Sequence, residues 1–142
     1  MKILAKSTSL LAVFALSTGL LFAQSCPKPV KDAFKKAYPN VKAKWSTEKD
    51  KTTLHEAEFE INGVEMSATY NADGSLFEIE QELTKSEVPL AVIESCMKAH
   101  PKAKMKEYAK ITRASGEIAY EIEIKNNGKE QDVLFKGDGV ME

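Results

Sequence analysis

Between Glu56 and Ile61 the chain reads EAEFEI, a glutamate at every second position and an apolar residue between. A period of two belongs to a strand with one face in a core and the other turned away from it. The alternation returns after Asn62-Gly63, where Met66, Ala68 and Tyr70 alternate with Glu65, Ser67 and Thr69. It returns again after Asp73-Gly74, where Phe77, Ile79, Gln81 and Leu83 alternate with Glu78, Glu80 and Glu82. Asn-Gly between two such runs marks a hairpin, because a type I′ turn needs positive φ at both central residues. An earlier strand is predicted over Val41 to Lys49, with Ala43 and Trp45 on one side and Lys42 and Lys44 on the other. Before it the period changes. Val30, Ala33, Phe34 and Ala37 recur at the spacing of a helical stripe. Pro27 suits a first helical turn, and Pro39 ends the helix by driving Tyr38 out of helical geometry. The predicted unit is one helix followed by four antiparallel strands.

The unit occurs twice. KAYPNVKAK at 36–44 returns as KAHPKAKMK at 98–106. Pro27, Val30 and Pro39 match Pro89, Val92 and Pro101 at an offset of 62. Glu56, Glu58, Asn62-Gly63 and Asp73-Gly74 match Glu121, Glu123, Asn127-Gly128 and Asp138-Gly139 at an offset of 65. In the second copy Tyr120, Ile122 and Ile124 alternate with Glu121, Glu123 and Lys125, and Val133 and Phe135 follow the turn. The last strand is reduced to a stub at Val140-Met141-Glu142. Two copies are too few for a solenoid. The linker Thr84 to Val88 is too short to separate domains. Residues 24–142 therefore read as one domain of two repeats, 27–83 and 89–142, sharing one core.

The first 23 residues follow another rule. Lys2 and Lys6 precede the apolar run Leu10 to Leu16, and Ala23 ends the segment. This is the pattern of a secretory signal peptide. Ser17-Thr18-Gly19 interrupts the run, short of the roughly 20 apolar residues a membrane span requires. The expected destination is the periplasm or the exterior. Loss of two lysines takes the formal net charge from −1 to −3, which excludes a phosphate-neutralising nucleic-acid binder. Cys26 and Cys96 are the two cysteines. In an oxidising compartment they are candidates for a disulfide. Lipid attachment at Cys26 is the competing use, although Ala23-Gln24-Ser25 suits it poorly.

No catalytic residue set, metal site or cofactor site emerges. His55 and His100 lack neighbours at metal-ligand spacing. The serines lack a nucleophile motif, and the glycines sit at turns rather than in a phosphate loop. The chain is expected not to be an enzyme. The glutamates carry the remaining chemistry. Paired carboxylates can act as acid and base, but the plainer reading is a solvated sheet face balanced by Lys42, Lys44, Lys104 and Lys106. As a surface, Glu56, Glu58, Glu78, Glu80, Glu121 and Glu123 form a candidate binding face for a protein or peptide. Trp45 is assigned to the core by its phase with Ala43; the alternative is an exposed anchor. A small-ligand carrier, with its pocket between helices and sheet, is the second functional reading. Phe34, Trp45, Phe59, Tyr70, Phe77 and Phe135 would tend to fill such a pocket.

Lys44-Trp45, Glu56-Ala57-Glu58-Phe59, Asn62-Gly63, Asp73-Gly74 and Val88-Pro89-Leu90-Ala91-Val92 resemble the secreted PepSY-like family, also described as β-lactamase-inhibitor-like proteins. The resemblance runs from about Pro27 to Gly139. It implies an α+β fold of tandem α-β-β-β-β units, with helices packed on one face of a curved antiparallel sheet. Related PepSY domains are associated with peptidase inhibition or regulation. The resemblance thus implies a non-catalytic module acting on a protein or peptide of the cell envelope, and it brings no catalytic residues. The short final strand departs from the family pattern and bears on the width of the sheet.

Overall fold

The computed structural model describes residues 26–49 and 52–142; the predicted leader lies outside them. Among the described residues the chain forms helix α1 (Lys28–Ala37), strands β1 (Lys44–Lys49), β2 (Thr53–Ile61), β3 (Val64–Asn71) and β4 (Leu76–Glu82), a short 3-10 turn (Lys85–Glu87), helix α2 (Leu90–Ala99), and strands β5 (Lys104–Arg113), β6 (Ile118–Asn126) and β7 (Lys129–Lys136). The strands make one antiparallel sheet in the order β1-β2-β3-β4-β5-β6-β7. The sheet is curved like half a barrel. The predicted stub survives as a single bridge between Phe135 and Met141.

Local chemistry explains the elements. Pro27 and Pro89 stand at the N-caps of the two helices, and Tyr38 and His100 at their C-caps, each followed by a proline. Asn62-Gly63 and Asn127-Gly128 take positive φ at all four residues, the torsions a type I′ hairpin demands. The first strand begins at Lys44 rather than at the predicted Val41, because Val41 still bonds back to the Tyr38 carbonyl in the turn that leaves α1.

The two Asp-Gly turns have a tertiary role as well. A Cβ on Gly74 would stand 2.7 Å from the Pro29 carbonyl oxygen, and one on Gly139 would stand 2.5 Å from that of Ala91. Each hairpin end is therefore the seat of a helix's first turn. That is why both repeats keep a glycine at this position.

Both helices lie on the same face of the sheet, but the expected single core divides in two. Val30 and Phe34 of α1 pack with Ala57, Phe59, Ala68 and Tyr70. Val92, Ile93 and Cys96 of α2 pack with Ile122, Ile124, Val133 and Phe135. Each helix covers chiefly the strands of its own repeat, so the two buried clusters stay separate, and the continuous backbone of the sheet together with Leu83, which ends the first repeat and packs against the α2 cluster, joins the halves. The predicted α1 stripe is also narrower than its spacing suggests, since Ala33 is half-buried and Ala37, at the helix end, is exposed.

Candidate binding face

Strand pairing fixes which side chains share the face left open by the helices. Ser46 pairs with Glu56 and Lys44 with Glu58. Glu56 and Glu58 then pair with Thr69 and Ser67, and these with Glu78 and Glu80. In the other half, Glu78 and Glu80 pair with Arg113 and Ile111. Ala109 and Ala119 pair with Glu121 and Ile111, and Glu121 and Glu123 with Leu134 and Asp132. All six predicted glutamates thus lie on one face, as the alternation required. Glu48 and Asp132, which sequence reasoning left out, join them.

The expectation of a freely solvated face requires correction. Glu121 retains only 5% of its accessible surface and Glu78 8%. Ala109, Ile111 and Ala119, also on this side, are buried too. Curvature is the cause. A hollow of about 30 Å³ is lined by Glu48, Leu54, Glu56, Ser67, Thr69, Phe77, Glu78 and Glu80, from four adjacent strands; such a hollow requires the face to curl inward. Two register shifts add to the bend. One leaves Phe77 unpaired between Leu76 and Glu78, and the other does the same to Lys106; an extra residue of this kind bends its strand. The first shift also moves Phe77 away from the predicted core, to 44% exposure beside Glu78. Two adjacent apolar residues, Leu76-Phe77, are the break in alternation that marks it.

Carboxylates drawn out of water and set side by side hold their protons more tightly. Burial, followed by the charges of Glu80, Asp132, Glu78 and Glu123, pushes Glu121 up to about 8. Burial likewise raises Glu78, with Arg113 opposing. It raises Glu56 as well, where hydrogen bonds from Ser46 and Ser67 oppose it. Glu48, Glu82, Glu123 and Asp132 are all raised, burial being the largest cause in each. The predicted lysine balance is only partly present. Lys44 lies opposite Glu58, Lys104 stands opposite Lys125 on the face of Glu123, and the charge of Lys106 opposes the rise of Glu123, whereas Lys42 precedes the sheet. Arg113, the chain's one arginine, is engaged by Glu142 at 2.6 Å and Glu117 at 3.2 Å.

Other predicted residues fall on the helix side. Trp45 meets Phe34 edge-on at 5.3 Å, and Phe34, Tyr38 and Phe59 stack around it with centroids 4.5–5.2 Å apart. The tryptophan is half-buried against the core, and these rings occupy the space between α1 and the sheet, one of the two places in which a carrier's pocket was expected. His55 is buried with Nδ1 3.2 Å from the Thr47 hydroxyl. No group of three or more potential metal ligands occurs among the described residues. Cys26 and Cys96 are both free thiols. They belong to different clusters, Cys26 beside α1 and Cys96 on the buried side of α2, and stand as two separate thiols in this structure. The reason is the division of the core, which keeps the helices over separate halves of the sheet. No described helix is long and apolar enough to cross a membrane.

Solved structures share this architecture. A protein from Bacteroides eggerthii described as periplasmic superposes with a TM-score of 0.69 at 21% identity, covering 82% of this chain and 85% of its own. A DUF2874 family protein from Bacteroides uniformis gives 0.69 at 21% identity, over 81% and 85%. A BLIP-like protein from Bacteroides fragilis gives 0.60 at 22% identity, over 82% and 83%. This chain has the DUF2874 and BLIP-like fold. At these identities the likeness concerns the fold, and it agrees with the PepSY-like resemblance of the sequence. No protein-family model and no curated protein matches the chain.

Proposed function

We propose that this chain is a non-catalytic binding module of the bacterial cell envelope, which grips a cationic segment of a protein partner on the open face of its sheet. The observation that carries this reading is the concentration of Glu48, Glu56, Glu58, Glu78, Glu80, Glu121, Glu123 and Asp132 on the one sheet face that no helix covers. An acidic concave surface selects and steers a basic partner. Phe77 and Leu54, at the edge of the hollow, supply apolar contact for the stems of long basic side chains. The hollow itself is far smaller than the roughly 300–1,000 Å³ of a small-molecule site, so this face suits a macromolecule resting on its surface. The BLIP-like description of one structural relative and the periplasmic description of another support a binding role in the envelope, and the PepSY-like resemblance of the sequence points that role toward inhibiting or regulating a peptidase or other envelope protein. Export by the leader, without lipid on Cys26, completes the reading.

The test is a capture experiment from native envelope with crosslinking, followed by titration of the captured partner. Reversing Glu58 and Glu123, equivalent positions in the two repeats, to lysine is expected to weaken binding at least tenfold while the thermal melt stays cooperative. Wild-type binding is expected to weaken as salt rises, since exposed charges are screened over about 8 Å at physiological ionic strength. Unchanged affinity in the double variant overturns the assignment to this face.

A further inference from the structure

The two repeats place a glutamate at the same seat and treat it differently. Glu56 sits on β2 between Ser46 and Thr69; Glu121 sits on β6 between Ala109 and Leu134. In the first repeat the Ser46 hydroxyl donates to Glu56 Oε2 at 3.1 Å, and Ser67 gives a second hydrogen bond. In the second repeat Ala109 stands where Ser46 did, Leu134 stands where Thr69 did, and the place of Ser67 is taken by Asp132, an acid in place of a hydroxyl. Glu121 Oε2 is buried and accepts no hydrogen bond, although its residue is 95% covered. A buried carboxylate oxygen without a donor costs free energy. A duplication that keeps the acid and drops its donors has left a place for a donor from outside.

The surroundings fix the kind of donor. Glu78 and Glu80 face Glu121 from β4, Asp132 from β7 and Glu123 from its own strand, while Lys136 of β7 stands diagonally beyond Leu134, opposite Ala119. On β5, Ala109 lies directly opposite, with Glu107 and Arg113 farther along. Arg113 is already engaged by Glu117 and Glu142. We propose that the Glu121 seat receives the guanidinium group of one arginine of the partner, anchoring the cationic segment at the second repeat. This rests on the open-face reading above and locates its strongest point. Guanidinium fits better than ammonium. Its planar fork presents five donors to several carboxylates at once, and it is the more weakly hydrated cation. Ile111 and Leu134, in the same layer, give its stem an apolar wall.

The seat is also tied to protons. Glu121 takes up a proton below about 8, and an arriving cation displaces it. Binding is therefore expected to tighten as pH rises from 6 to 9.

The experiment is a nuclear magnetic resonance titration of the full exported chain. The probe is the peptide acetyl-Gly-Arg-Gly-amide; its citrulline counterpart and calcium chloride are the comparisons. The expected result is a set of shifts at the Ala109, Glu121 and Leu134 amides and at the Glu121 side-chain carbon. Affinity should be on the order of a hundredfold stronger at pH 9 than at pH 6, and citrulline should give no response. Glu121→Gln is expected to weaken binding at least tenfold and to remove most of the pH dependence, and Glu94→Gln, exposed on α2 away from the open face, to change affinity less than twofold. Shifts centred on Glu56 and Glu58 with Glu121 silent overturn the seat and leave the open face standing. Tighter binding of calcium than of the arginine peptide overturns the choice of occupant. No response on the face also overturns the seat, and the Glu58, Glu123 reversal with the captured partner then judges the face independently.

Discussion

Gly74 lies against the first turn of α1, so close that a Cβ on it would stand 2.7 Å from the Pro29 carbonyl oxygen. Its φ of +89° adds a second obstacle to any side chain. The equivalent pair, Gly139 and Ala91, repeats the relationship at 2.5 Å. Helix and hairpin end are thus locked backbone to backbone in each repeat.

Gly74→Ala and Gly139→Ala are expected to cost clearly more stability than Gly128→Ala. Gly128 has φ +80° but nothing within 4 Å, so alanine there meets only the left-handed penalty of about 1–2 kcal/mol. The docking glycines add a clash with backbone, which cannot swing aside as a side chain can. Chemical denaturation of the three variants measures the difference. Equal losses would show that the helix starts are not held by these turns.

The buried carboxylates predict an unusual dependence of stability on pH. Glu121 rises from an ordinary 4.5 to about 8 in the folded chain, chiefly through burial. Its contribution is fully present below about 4.5 and is lost as pH climbs toward 8, because the unfolded chain releases the proton first. Glu78 and Glu56 shift in the same direction. Asp73, Glu87, Glu130 and Glu142 are lowered by their hydrogen bonds, so they withdraw stability only in more acidic solution. The melting temperature should therefore peak near pH 4–5 and fall by on the order of 5 °C by pH 8. Glu121→Gln should flatten that fall and melt higher than wild type at pH 8. A wild-type melting temperature that rises from pH 5 to 8 would contradict the buried-acid assignment.

The thiols give a third expectation. Cys96 is 1% exposed, and burial raises its pKa as it does that of Cys26. Both changes suppress thiolate reactivity. Denatured, unreduced protein should take up two alkyl labels. The folded protein should label Cys26, which is half-buried, much faster than Cys96. Mass spectrometry with peptide mapping reads both, and zero labels on the denatured chain would establish the disulfide instead.

Where backbone rules act locally, the sequence was legible. Asn62-Gly63 turned as its residues demand, the prolines set the helix limits, and strict alternation put Glu56, Glu58, Glu121 and Glu123 on one face. The errors arose where curvature decides. Glu58 and Glu121 carry the same pattern, yet one is exposed and the other covered, because β6 lies in the middle of the second half with Ala109 and Leu134 on either side. Phe77 has the phase of a core residue until a bulge turns it out. The division of the core could not be read from the repeat, since both copies supply similar apolar residues whether or not their helices meet. The absent hydroxyls around Glu121 become visible only when the strand register names its neighbours.

The carboxy-terminal residue in the sequence carries the last prediction. Glu142 receives two hydrogen bonds from Arg113, at 3.1 and 2.6 Å, while its amide donates to the Leu134 carbonyl. The two-point geometry places this pair above an ordinary surface ion pair, but both side chains keep access to water, at 30% and 19%. Its contribution belongs at the upper end of the range for exposed pairs, about 1 kcal/mol. Glu142→Gln should lose that amount at neutral pH and low salt, and less as salt increases. Arg113→Ala should lose more, because Arg113 also offsets the charge of Glu78 and nothing on the strands beside Glu78 replaces it. The folded pKa of Glu142 is lowered first by its Arg113 hydrogen bond. The pair's contribution is thus complete above the unfolded value and disappears as pH falls through the folded one. A double-mutant cycle by chemical denaturation at pH 7 and in strong acid separates the pair from the Glu78 effect. A coupling that persists unchanged in acid would show that the Arg113 and Glu142 side chains interact through packing rather than charge.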